Sequence, residues 1–199
     1  MFSSPKMENT DLIYTLYKDS RTVFRLKDVA MMTGETSFSS LNMKLNYYVR
    51  TGRLQNPRKG LYCKPNYSKE ELACRIFAPA YISLEYVLQR GGITFQYDSR
   101  LTVISYLSRE LDIENQTFSF RKIKKELLVS TQGIEQTGNT VTIATPERAF
   151  LDTLYLNGAM YFDNLHPLKM DLIEQILPIY KSSILTKLAQ KILKNNGLQ

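Results

Sequence analysis

The sequence predicts an α+β protein in two parts, a helix-and-hairpin unit over residues 1–66 and a mixed unit of helices and strands over 67–199. Three observations carry this. Helical stripes recur through the first fifty residues, a turn-rich stretch separates two short extended runs before residue 65, and alternating and helical patterns interleave beyond residue 80. At 199 residues the chain has room for one domain or two small ones.

ENTDLIYTLYKD places Leu12, Ile13, Leu16 and Tyr17 on one helical stripe, with Asn9 or Thr10 as the cap. After a turn at 19–21, VFRLKDVAMMTG reads as a short extended run and then a second helix. That helix turns Leu26, Val29 and Ala30 inward and closes at Gly34. TSFSS supplies hydroxyls to cap a third helix from about Ser39 to Arg50. At about 100° per residue, Leu41, Leu45, Tyr48 and Val49 share one side of it. Ser39, Ser40, Met43, Asn46, Tyr47 and Arg50 share the other, with Asn42 and Lys44 on the flanks. Arg53–Gln55 and Leu61–Lys64 then read as two strands around the turn NPRKG. Three helices followed by a hairpin make a winged helix-turn-helix.

Charge is distributed unevenly along this frame. The chain carries 26 Lys plus Arg and 19 Asp plus Glu, a net +7. No acid occurs between Glu35 and Glu70, while Lys44, Arg50, Arg53, Arg58, Lys59, Lys64 and Lys69 all fall there. Residues 1–35 balance five basic against five acidic side chains, and residues 67–199 carry 15 against 14. The excess sits on the third helix and the hairpin, and double-stranded DNA is the polyanion such a pair would fit. Small hydrogen-bonding residues on the helix would enter the major groove, where an Asn makes a bidentate contact with adenine. Arg50, Arg53, Arg58 and Lys59 would hold phosphates and set the register.

The second part changes character at NYSKEEL, which restores acids and reads as a linker. ISLEYVLQRGG has Ile82, Tyr86 and Leu88 at helical spacing and ends at a glycine pair. ITFQYDSRLTVISYL and TFSFRKIK alternate as strands do, and VTIATPERAFLDTLYLNG reads as a strand and then a helix. The remainder is helical with a break near Pro178, and Ile184, Leu185, Leu188 and Ile192 form its apolar stripe. Within TPERAFLD, Thr145 is a natural N-cap, Pro146 suits the first helical position, Glu147 favours the dipole and Arg148 lies one turn from Asp152. FRKIKKE, with Arg121, Lys122, Lys124 and Lys125, reads as a charged strand edge, or as an extension of the nucleic-acid surface.

Several functions are disfavoured by composition. Cys63 and Cys74 are the only cysteines and His166 the only histidine, too few for a four-ligand zinc site of Cys and His. Two isolated thiols are expected to be reduced and packed, and His166, beside a proline, to sit in a surface turn. No phosphate-cradling glycine loop, zinc-hydrolase motif or calcium loop is present, so neither a cofactor nor a metal nor a catalytic residue is expected. No apolar run approaches the roughly 20 residues that span a bilayer, and MFSSPKMENT lacks the apolar core of a signal peptide. A cytoplasmic location without membrane association is expected.

The order of these motifs resembles a known family. A GRLQNPRKGLY wing, then ISLEYVLQRGGI, then VTIATPERAFLDTLYL is similar to the AbiEi-type antitoxins of type IV, abortive-infection toxin–antitoxin systems. The similarity in order covers about residues 10–160, and the last stretch matches only in being helical. The resemblance implies an N-terminal domain that represses its own operon by binding promoter repeats. It also implies a C-terminal domain that counters a cognate, nucleotidyltransferase-like toxin, and no enzymatic activity. By position, Ser39, Asn42, Met43 and Asn46 would read bases and Arg53, Arg58 and Lys59 would grip the backbone. Many basic readers place Arg or Gln on the outward helix face; Met43 and Tyr47 stand here, so readout would lean on apolar contact or on DNA shape.

Two rival readings remain open on the sequence. One is a stand-alone winged-helix transcription factor whose C-terminal domain senses a ligand or mediates assembly. The other is an enzyme targeted by its N-terminal domain, with Glu147 or Asp152 as the catalytic acid.

Overall fold

The chain is a mixed α+β protein in a computed structural model that describes residues 12–138 and 140–197. The helix cap expected at Asn9 or Thr10 lies outside the described residues. Two compact units divide between Leu72 and Ala73, six residues beyond the boundary expected from composition and inside a helix.

The first unit runs α1 (Leu12–Lys18), β1 (Val23–Arg25), α2 (Leu26–Thr33), α3 (Phe38–Arg50), β2 (Gln55–Arg58) and β3 (Leu61–Cys63). The strands form one antiparallel sheet in the order β1-β3-β2, with Phe24 opposite Tyr62. Leu12, Ile13, Leu16, Phe24, Val29, Leu41, Leu45, Leu54 and Tyr62 make the core, with Tyr48 and Val49 packed on it. Tyr17, expected on the inward stripe of α1, is half exposed and instead donates its hydroxyl to the Arg53 carbonyl at 2.8 Å.

Local chemistry starts and stops these elements where it should. The Asp28 carboxylate accepts the Arg25 N–H at 3.0 Å at the start of α2, and Gly34 ends that helix in the left-handed region at φ 67°. Ser37 caps α3 by accepting the Ser40 N–H at 3.3 Å. The expected first strand is displaced. Arg53 and Leu54 are not in a strand; their N–H groups donate to the Tyr48 carbonyl at 2.9 and 3.1 Å, closing the turn that buries Leu54. The hairpin turn consequently shrinks to Lys59-Gly60, between Arg58 and its partner Leu61. Pro57, which has no N–H to give the ladder, falls in the irregular register between Gln55 and Arg58.

α4 (Lys69–Ile76) leads into the second unit. There follow β4 (Ala80–Ile82), α5 (Glu85–Arg90), β5 (Leu101–Ser105), β6 (Arg109–Ile113), β7 (Gln116–Lys122), α6 (Lys125–Leu128), β8 (Ile134–Thr137), β9 (Val141–Ala144), α7 (Pro146–Asn157), α8 (Met170–Ile176), a 3-10 turn at Leu177–Tyr180, and α9 (Ser183–Asn195). Its strands form one mixed sheet, ordered β6-β7-β5-β4-β9-β8, with β5·β7 and β4·β9 parallel. α7 packs on α5, α8 and α9.

Four expectations for this unit are corrected. Ile82 belongs to β4, not to the following helix. The long strand expected from residue 93 is confined to Leu101–Ser105, all five residues of which are buried, so its core position shows as a continuous apolar run and not as alternation. Phe120–Lys122 of FRKIKKE end β7, which lies between β6 and β5 and is no sheet edge, and Lys124 and Lys125 fall at the start of α6. In α9, Leu185, Ala189 and Leu193 are buried while Ile184 is 79% exposed, which moves the inward stripe away from Ile184.

Candidate nucleic-acid interface

The faces of α3 follow from its period. Leu41 and Leu45 are fully buried, and the opposite stripe of Ser39, Met43, Asn46, Tyr47 and Arg50 is exposed. Met43 is 69% and Tyr47 53% exposed, on a helix that contains no acidic residue. Ser40 and Asn42 are partly buried at its margins. The Tyr62 hydroxyl donates to Asn42 Oδ1 at 3.0 Å, so part of the Asn42 side chain is committed to bracing α3 against β3. Ser39 Oγ lies 3.1 Å from the capping Ser37 Oγ.

The expected cations divide into two sets. Lys44 is paired: its ammonium donates to Glu35 Oε2 at 2.9 Å, and this bond holds the Glu35 carboxyl below its ordinary range. Lys64 turns back to the Tyr17 and Asp19 carbonyls, with its ammonium 5.9 Å from the centre of the Phe24 ring. Lys44 nevertheless keeps about half of its side chain, 51%, exposed. Arg50, Arg53 and Lys59 are exposed and Arg58 is partly buried. The Arg53 guanidinium lies 6.0 Å from the Tyr48 ring centre, which places it beside the C-terminal end of α3.

The hairpin carrying Arg58 and Lys59 is stiffened from within. The Asn56 amide donates to the Arg58 carbonyl at 3.1 Å and to the Leu61 carbonyl at 2.7 Å, tying its two arms together. The Asn-Pro pair marks a turn in the sequence, but nothing local says which carbonyls the amide will reach. At the base of the unit, Thr22 donates through its N–H and hydroxyl to Glu71 Oε2 at 2.8 and 2.6 Å, and its hydroxyl accepts the Ser68 N–H at 2.9 Å.

TPERAFLD builds a buried polar network in the second unit. Arg148 and Asp152 are both 0% exposed and bonded through Nε and Oδ1 at 3.2 Å. Three further Arg148 N–H groups donate to the Gln132 carbonyl at 2.9 Å, the Leu127 carbonyl at 2.8 Å and the Tyr81 hydroxyl at 3.0 Å. Asp152 also accepts the hydroxyls of Tyr180 at 2.7 Å, Ser83 at 2.9 Å and Tyr81 at 3.0 Å. Burial pushes the Asp152 carboxyl up, against the pull of Arg148 and the three hydroxyls. Burial also raises the Tyr81 and Tyr180 phenols, so both remain donors. Glu147 is buried and accepts the Lys169 N–H at 3.1 Å, and Thr145 caps α7 as its position suggests. Such a network holds α7, β4, α6 and the Leu177–Tyr180 turn together, and its carboxylate has no solvent face.

Elsewhere, a groove of about 340 Å³ lies between α8 and α9, lined by Met170, Ile173, Leu177 and Leu193 together with the charged Glu174 and Lys194. Cys63 and Cys74 are buried, unbridged thiols, and His166 is exposed in a turn. Among the described residues no group of His, Cys, Asp and Glu is placed to hold a metal ion, and no helix is long and apolar enough to cross a membrane. No protein-family model and no curated protein matches the chain.

Proposed function

We propose that the first unit is a winged helix-turn-helix that binds double-stranded DNA, with α3 in the major groove and the β2-β3 hairpin as the wing. The protein would then be a DNA-binding autorepressor of its own promoter. One observation carries the reading: the exposed face of α3, a helix without acidic residues, ends in exposed Arg50 and is followed directly by exposed Arg53 and Lys59 on the turn and hairpin. Three or four phosphate contacts give a log–log salt slope of about −3 to −4 per bound copy.

The motif order supports the further proposal that the chain is an AbiEi-type antitoxin without enzymatic activity, whose second unit counters a nucleotidyltransferase-like toxin encoded beside it. The α8–α9 groove favours one alternative, a stand-alone transcription factor whose second unit takes a small apolar ligand.

Fluorescence anisotropy of the full chain on the duplex upstream of its own gene, against a scrambled duplex and across a salt series, tests the first proposal. Preference for its own DNA with the stated slope supports autorepression; no binding to either duplex removes it. Co-expression with the neighbouring gene tests the second. Relief of growth arrest supports the antitoxin reading, and arrest unaffected by this protein leaves the transcription-factor alternative.

A further inference from the structure

The chemistry on the outward face of α3 says which bases it would read. Guanine is recognised chiefly by Arg or Lys donating to O6 and N7, and cytosine N4 by a carboxylate. Neither is available at the centre of this face. Lys44, on the flank, is held by Glu35 at 2.9 Å, Arg50 is the last residue of the helix, and α3 contains no acid. Present instead are the exposed Asn46 amide, the Ser39 hydroxyl, and the exposed apolar surfaces of Met43 and Tyr47 one helical turn or less away. An amide matches adenine N6 and N7, and an apolar side chain matches the C5-methyl of thymine, the one apolar group in the major groove. Asn42, whose Oδ1 accepts Tyr62, contributes by fixing the roll of the helix.

We infer that this protein reads A·T base pairs, with Asn46 on adenine and Met43 and Tyr47 on thymine methyl groups. The inference rests on the DNA-binding reading above and deepens it by naming the sequence class. It also accounts for the exposure of Met43 and Tyr47, whose apolar surfaces gain nothing from water.

The test selects duplexes from a randomised library with the full chain. The selected site is then remade with uracil in place of thymine, which removes only the methyl groups, or with 7-deazaadenine in place of adenine, which removes N7. The expected core is a run of A·T pairs. Uracil should weaken binding about fourfold for each thymine methyl that Met43 or Tyr47 covers, the worth of one buried carbon. 7-Deazaadenine should cost about tenfold where Asn46 touches the base. Met43→Ala should abolish part of the uracil effect and Asn46→Ala the 7-deazaadenine effect, each with an unchanged unfolding midpoint because both side chains are exposed. A selected core containing G·C pairs, or binding insensitive to both replacements, overturns the A·T assignment and leaves the DNA-binding reading standing. No duplex enriched at any salt concentration overturns that reading itself and assigns the face to a protein partner.

Discussion

Arg148 and Asp152, one helical turn apart in the sequence, form an ion pair that serves the core. Every Arg148 nitrogen has an acceptor and Asp152 takes four donors, all within a site closed to solvent. Removing one partner leaves the other charge buried alone, so Arg148→Ala should lower unfolding stability by about 3–5 kcal/mol, measured by urea denaturation. Gly133 is part of the same construction. Its φ is 68°, and an added Cβ would meet Ile176 Cδ1 at 2.7 Å and Arg148 Cβ at 2.8 Å. Gly133→Ala should therefore destabilise by at least about 1 kcal/mol, with backbone strain and the clash acting together. A Gly133→Ala protein as stable as the parent would mean that the α8 side of the network gives way easily.

At the scale of elements, the hairpin is where charge and stiffness can be separated. Arg58→Ala with Lys59→Ala should weaken binding to all DNA sequences and reduce the magnitude of the salt slope by up to about 2, because each neutralised phosphate accounts for about 0.9. Unchanged affinity and slope would place the hairpin outside the interface. The turn between α1 and β1 supplies a pH test. Hydrogen bonds from Arg21 hold the Asp19 carboxyl below its ordinary value of 3.8. A carboxyl depressed by folding stabilises the protein fully above the unfolded value and loses that contribution as pH falls through the folded one. Asp19→Asn should thus flatten the fall in stability below about pH 4, while costing a little at neutral pH. An acid-unfolding profile identical to the parent's would show the Asp19–Arg21 pair to be energetically idle.

For the whole molecule, the unequal charge of its parts matters more than the total. The stretch from residue 36 to 69 holds an excess equal to that of the entire chain, yet Lys44 and Lys64 are turned to internal partners. Lys64 keeps its charge while bonding carbonyls, so it adds to the steering of a polyanion by the exposed Arg50, Arg53 and Lys59, whereas Glu35 offsets Lys44. An observed slope near −7 per bound copy would instead mean that basic residues beyond these also contact phosphate.

The sequence by itself determined the elements whose signal is local. The inward and outward faces of α3 follow from a 3.6-residue period, the start of α7 follows from Thr145 and Pro146, and the acid-free stretch is a matter of counting. Tertiary structure alone decided which of those charges are paired, because Glu35 reaches Lys44 across the α3 cap and Lys64 reaches carbonyls more than forty residues earlier. It also decided the mixed sheet, since β4 is three residues long, too short to show a period, and gains its place by pairing with β5 and with β9, some sixty residues later. The partners of Arg148 come from Tyr81, Leu127 and Gln132, brought together only by folding. A local pattern records what a residue does to its neighbours in the chain; burial and charge pairing depend on neighbours in space.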